Sequence, residues 1–281
     1  DGNKYGLAKL THSLMRAGNS KLNANKINNQ LQAYGAHLDG FTTRSSSVWH
    51  LRSLADKKDL NYSITVLNTI LSKPEFNTID IKSYKTRQKS AILQSHNKPG
   101  ELLSLNIARH LYKSTPLAHS TLGTIKGVNG IYRKNILKFY KQYYVKNNIE
   151  IAVVGSINKQ QALEIADKCL KNIRAGSAAA KIKAAPPIKK SQTIAINFPA
   201  KQSHMAIIMP GVTGTNPYLY PLLVSNQSFG GGMSSKLFNE VRDKRGLAYS
   251  VFSAWVPREY GGFFIIKLQT KHEKSQQAIK L

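Results

Sequence analysis

Two copies of one α+β unit are the fold that the 281 residues predict. Three observations lead there. The order helix, glycine, strand, turn, strand occurs twice at a separation of 211 residues, so that Gly35 meets Gly246, Phe41 meets Phe252 and Leu54 meets Ile265. Residues 176–190, GSAAAKIKAAPPIKK, are rich in Ala, Lys and Pro, show no hydrophobic period and read as a linker. A hydrophobic content of 41% over this length suffices to bury two cores of ordinary size. The first domain is then 1–175 and the second 191–281. On this register Leu281 answers to Ile70 while the first copy runs to 175, so the second copy is expected to be truncated, lacking about 105 residues.

Each element has a local cause. A first helix over 6–17 places Leu7, Leu10, Leu14 and Ala17 on one stripe, and Gly18 ends it. Asn23 caps a second helix carrying Ala24, Ile27, Leu31 and Tyr34 at helical spacing, closed by Gly35. Strands 37–43 and 47–54 with a polar turn at 44–46 predict a hairpin. Asp56 caps a helix that turns Leu60, Ile64, Leu67 and Leu71 inward, and Pro74 breaks it. Helices follow at 78–95, 100–112 and 131–144, then a β-branched strand at 149–154 and a helix at 159–173. Beyond the linker come strands 193–198 and 203–209, a helix near 218–228, the loop Gly230-Gly231-Gly232, a helix from Ser234, and strands 247–256 and 262–269.

Composition excludes several function classes. The longest apolar runs, 149–154 and 263–266, fall far short of the roughly 20 residues of a membrane-spanning helix, so no span is expected. No basic-then-apolar leader precedes Asp1; because the chain enters directly on a helical pattern, a leader or opening strands could precede it, and targeting stays open. The single Cys169 shares a helix face with Ala162, Ile165 and Ala166 and is expected in the core, and the lack of a second cysteine rules out an internal disulfide and a Cys-based metal site. A net charge of +27 first suggests nucleic acid. Its 41 basic residues are dispersed, however, and no acid occurs at 102–149 or 176–239. With no recognition module in sight, the charge reads as a solvated surface favouring acidic partners rather than nucleic acid.

Three stretches carry a family resemblance. Gly6-Leu7-Ala8 through Gly18, followed by a second helix, Gly35 and a hairpin, is similar to the opening of the pitrilysin/insulinase metallopeptidases. Leu122-Gly123-Thr124, Tyr140, Tyr144, Asn147, Asn148 and Val153-Val154-Gly155 resemble that family's LGT, FY, Y, N and VVG positions, and residues 230–251, GGGMSSKLFNEVRDKRGLAYSV, resemble the form found in bacterial and mitochondrial members. The resemblance implies a metallopeptidase/LuxS-like fold: two homologous domains, each a mostly antiparallel sheet covered by helices. It also favours a bacterial periplasm or cell envelope.

Active members carry His-x-x-Glu-His on the first helix, where two histidines four apart offer nitrogens to zinc and the glutamate serves as base. Here Lys9, Leu10, Thr11, His12 and Ser13 stand in those places, and the third ligand, a glutamate some 75 to 80 residues on in the family, is missing, because 81–100 contains no acid. No metal is therefore expected in this chain. His12, with no ligand at i+4, reads like His37 and His50 as a polar core-edge or surface residue. The glycine loop lacks a following Gly-Lys-Ser/Thr and reads as a tight turn into a helix capped by Ser234 or Ser235.

Arg242 and Tyr249 match the family's substrate-gripping Arg and Tyr at the same separation of seven. From residue types and spacing alone they read rather as an arginine on a solvated helix end and a tyrosine packed in a sheet. The resemblance makes them donors to a peptide carbonyl and its oxyanion, with Arg245 as ordinary surface charge. It implies a chain inactive on its own, the non-catalytic subunit of a heterodimeric peptidase. A homologous partner would bear the zinc, and unfolded peptide would be the substrate. The rival reading is a scaffold subunit with the peptidase fold and no role in cleavage.

Overall fold

The computed structural model describes residues 1–182, 184–188, 190–259 and 261–281. They divide into two compact units: Asp1–Gln94 with His119–Lys181, and Ser95–Ala118 with Ile182–Leu281. Of the expected linker 176–190, Lys183 and Lys189 lie outside the described residues, and the remainder carries no helix or strand.

In the first unit α1 (Leu7–Met15) and α2 (Ala24–Ala33) lead into the antiparallel hairpin β1 (His37–Thr42) and β2 (Ser47–Arg52), with His37 opposite Arg52 and Gly40 opposite Trp49. Helices α3 (Lys57–Ser72) and α4 (Thr78–His96) follow, and α6 (Ile125–Asn129), α7 (Arg133–Tyr143) and α8 (Lys159–Leu170) return to the same unit. The caps are those the residues dictate: the Asn23 side chain accepts from the Lys26 N–H, and Asp56 accepts from the Lys58 and Asp59 N–H groups. Asp1 adds a cap not expected from the sequence, its carboxylate accepting from the Gly6 and Ala8 N–H groups at 3.0 and 2.9 Å. Leu10, Leu14, Ile64, Ile70, Ile131 and Ile136 form the buried heart, and Cys169 joins it, its thiol pushed up by burial.

The second unit centres on a three-stranded antiparallel sheet in the order β3 (Gln202–Pro210), β5 (Phe263–Lys271), β4 (Ser250–Val256). One face packs β3 against α5 (Pro99–Leu111), which is why Ser95–Ala118 groups here rather than with a continuous 1–175 domain. The other elements are α9 (Leu219–Phe229), α10 (Lys236–Phe238), a π-helical turn at Asn239–Asp243, and α11 (Ser275–Lys280). Val241, Leu247, Ala248, Val251, Leu268 and Ala278 make its core.

The internal repeat shows at its glycines. Gly35 and Gly246 adopt left-handed φ of 59° and 55°, each reversing the chain from a helix toward an antiparallel pair. The two copies then diverge, since Leu54 lies beyond β2 and is exposed while Ile265 is buried within β5. Two expected strands are corrected. Residues 149–154 and 193–198 pair with nothing among the described residues, and Val154 is 98% exposed. β-Branched composition favours extended backbone, but a strand exists only through a partner's hydrogen bonds.

Candidate functional site

The stretch that would carry a metal lies on α1. Its register is fixed by Leu7, Leu10 and Leu14, which point into the core and leave Lys9, Ser13 and Arg16 partly exposed. His12 is 1% exposed and turned toward the hairpin, where its ring packs 4.2 Å from that of Trp49. It fits because position 40 is glycine: a Cβ there would stand 2.6 Å from His12 Nε2. Burial lowers the imidazole to about 4, Lys9 and Arg16 push the same way, and the Gly40 backbone offsets only part of this. At neutral pH the ring is uncharged, and neither nitrogen has a formed hydrogen bond.

The remaining positions supply no zinc donors. Lys9 is half-buried and its ammonium is lowered by desolvation and by Arg16. Ser13 is an alcohol. On α4 the side chain that reaches back is Gln88, 75 residues after Ser13, and its Nε2 is spent on Gly6 O (3.0 Å) and Leu122 O (2.8 Å). His37 and His50 sit on the opposite face of the hairpin, His37 paired to Asp39 at 2.8 Å and His50 edge-on to Phe41. Among the described residues no three His, Cys, Asp or Glu side chains converge. Zinc takes three or four thiolate, imidazole or carboxylate ligands, so these residues do not fit it. Gln88 was not singled out by sequence reasoning; its spacing from Ser13 was the available signal.

In the second unit Ser235 caps α10, accepting from the Phe238 N–H at 3.3 Å, and the helix widens into the π turn. Lys244 N then reaches Asn239 O at 2.9 Å. Val241 is buried and anchors the turn, which leaves Arg242 on its outer side. After Gly246, Leu247 and Ala248 enter the core and Tyr249 emerges 73% exposed. The outcome brings Arg242 and Tyr249 together: the guanidinium carbon lies 5.8 Å from the Tyr249 ring centre and 4.6 Å from that of Phe238. The nearby carboxylate is engaged elsewhere. Glu240 binds Lys244 at 2.6 Å and also Arg245, and these partners pull it down to about 2. Among the described residues Arg242 makes no ion pair, and its half-buried guanidinium lies beside the Phe238 and Tyr249 rings.

The glycine loop serves packing. A Cβ on Gly230 would meet Ser253 Oγ at 2.2 Å, and Asn226 bridges the same serine by donating to Ser253 O and accepting from its hydroxyl.

Comparison with known proteins agrees with this geometry. The family described as "Insulinase (Peptidase family M16)" matches residues 1–125, and "Peptidase M16 inactive domain" matches residues 130–281. An uncharacterized zinc protease of Streptomyces coelicolor is 28% identical over 257 residues, covering 87% of this chain and 54% of the relative. A protein of Helicobacter pylori named a non-peptidase homolog is 25% identical over 285 residues, covering 100% and 65%. The crystal structure of a peptidase M16 inactive domain from Pseudomonas fluorescens superposes with a TM-score of 0.93 at 29% identity, covering all of this chain and 68% of that one. The chain thus spans between half and two thirds of the two sequence relatives. With matches over both units, the chain belongs to peptidase family M16, the insulinase family.

Proposed function

We propose that this chain is the non-catalytic subunit of a two-subunit zinc metallopeptidase, supplying Arg242 and Tyr249 to a peptide carbonyl that a homologous, zinc-bearing subunit attacks. The supporting observation is the unpaired Arg242 guanidinium, presented on a π turn beside the exposed Tyr249 phenol. Attack on a carbonyl builds negative charge on oxygen, and a cationic and a neutral donor aimed there strengthen as the charge grows. Glu240 does not compete for the guanidinium, because Lys244 and Arg245 hold it. Unfolded peptide is the substrate class, since a backbone carbonyl is what such a pair can grip without sequence preference. The test is activity of the reconstituted pair of subunits: Arg242→Ala and Tyr249→Phe should each lower kcat by about 10²–10³ while association on gel filtration is kept. Full activity of Arg242→Ala in an intact complex would leave the scaffold role standing instead.

A further inference from the structure

On α1, Lys9 stands at the first metal-ligand position of the family and Arg16 lies one turn beyond the second, Ser13. Lys9 and Arg16 lie seven residues apart, two helical turns, so their side chains leave the same face of α1, with Ser13 between them. Both are partly buried, and each presses electrostatically on its surroundings: Arg16 acts on Lys9, and both act on His12. Among the described residues neither side chain has an ion pair or a hydrogen bond. Among the described residues no carboxylate is ion-paired with them, and Asp1, at the start of α1, is engaged with the Gly6 and Ala8 N–H groups. Helix α7 contributes Arg133, Lys134, Lys138 and Lys141 and no acid, and on the hairpin Asp39 is on the outward face, paired with His37.

A second observation points the same way. His12 Nδ1 and Nε2, Thr42 Oγ1 and Trp49 Nε1 are buried polar atoms without partners, and they lie where α1 meets the hairpin. His12 belongs to the same helix stretch as the two cations and stacks on Trp49, whose indole N–H is an orphan donor. Unpaired cations beside buried polar groups that lack partners, the Trp49 indole N–H among them, are costly unless an anion answers them.

We infer that the former metal site of this chain is an oxyanion site, in which Lys9 and Arg16 bind a carboxylate or a small inorganic anion over the His12–Trp49 pair. The charge preference of the site is thereby opposite to that of a zinc-binding cluster. This does not rest on Arg242 and Tyr249, which belong to the other unit.

The reporter is built in, because the chain has two tryptophans, Trp49 beside the site and Trp255 in the second unit. The ¹⁵N-indole signals of the full chain are followed while acetyl-tetraalanine, its C-terminal amide, and inorganic phosphate are added in separate titrations. The Trp49 signal should move saturably with the free acid and stay still with the amide, and Trp255 should not respond. Movement with phosphate as well assigns the site to small oxyanions in general; movement with the acid alone assigns it to peptide carboxylates. Lys9→Gln and Arg16→Gln should each weaken binding roughly tenfold, and Lys9→Arg, which keeps the charge, should retain it. An equal response to acid and amide, or a still Trp49 signal with both the acid and phosphate, overturns the inference.

Discussion

Replacing His12 by leucine should change the acid sensitivity of the first unit far more than its stability at neutral pH. The imidazole is lowered from 6.5 to about 4, with burial the main cause. The folded state therefore gives up a proton that the unfolded chain keeps between these values, and stability must fall as the pH drops below about 6.5 and level off below about 4. The full loss is about 3 kcal/mol, at 1.36 kcal/mol per pH unit, and at pH 5 about 2 kcal/mol of it has appeared. Leucine fills a similar space and has no nitrogens to leave unpaired, so at pH 7.5 the variant should lie within about 1.5 kcal/mol of the parent. Urea unfolding followed by tryptophan fluorescence at pH 7.5 and pH 5 measures both proteins, and carboxylates that titrate in the same range cancel in the difference. The gap should shift by about 2 kcal/mol in favour of the variant at pH 5. A gap that stays constant to within about 0.5 kcal/mol would show that the buried ring is not held neutral, and the reasoning would fail.

Other expectations follow from the same structure. Gly40→Ala should destabilise by about 1–3 kcal/mol because its Cβ meets His12, and the penalty should shrink in a His12→Ala background, read as a double-mutant cycle. Asn68→Leu should cost about 2 kcal/mol, since its amide donates to Cys169 O and Lys171 O and ties α3 to the end of α8; thermal unfolding checks this. Elemental analysis after dialysis should find no stoichiometric zinc, and one zinc per chain that disappears in His12→Ala would contradict the donor assignment. Arg245→Ala should leave the melting temperature and the activity of the reconstituted pair nearly unchanged, because Lys244 still holds Glu240. At 0.15 M salt the chain should give no gel shift with single- or double-stranded DNA, whereas a clear shift would restore nucleic acid as a partner.

Local features were legible in the residues. The stripe of Leu7, Leu10 and Leu14, the caps at Asn23 and Asp56, and the left-handed glycines at 35 and 246 each follow from a few neighbours along the chain. Arg242 and Tyr249 were singled out through the family resemblance of 230–251, but the π turn that presents them was not, because it arises from Val241 being anchored in a core formed by distant residues. The attachment of α5 to the second sheet and the failure of 149–154 and 193–198 to pair depend on partners far away in sequence, about which local pattern is silent. His12 illustrates the same limit. Its inward turn required Gly40, 28 positions later and across the hairpin, to leave room for a ring.

The amide of Gln88 has a consequence for how this lineage can change. As a donor to two main-chain oxygens it braces the start of α1 against the 122–124 stretch without any ion. An acid at position 88 would set carboxylate oxygens against those same two carbonyl oxygens, so such a first step toward a zinc centre would loosen the helix that must carry it. Rebuilding that centre also needs new side chains at positions 9, 12 and 13, and none of these gains anything until the others are present. The arrangement is in this sense a ratchet: a path to a zinc centre through single substitutions runs through proteins less stable than the one that exists.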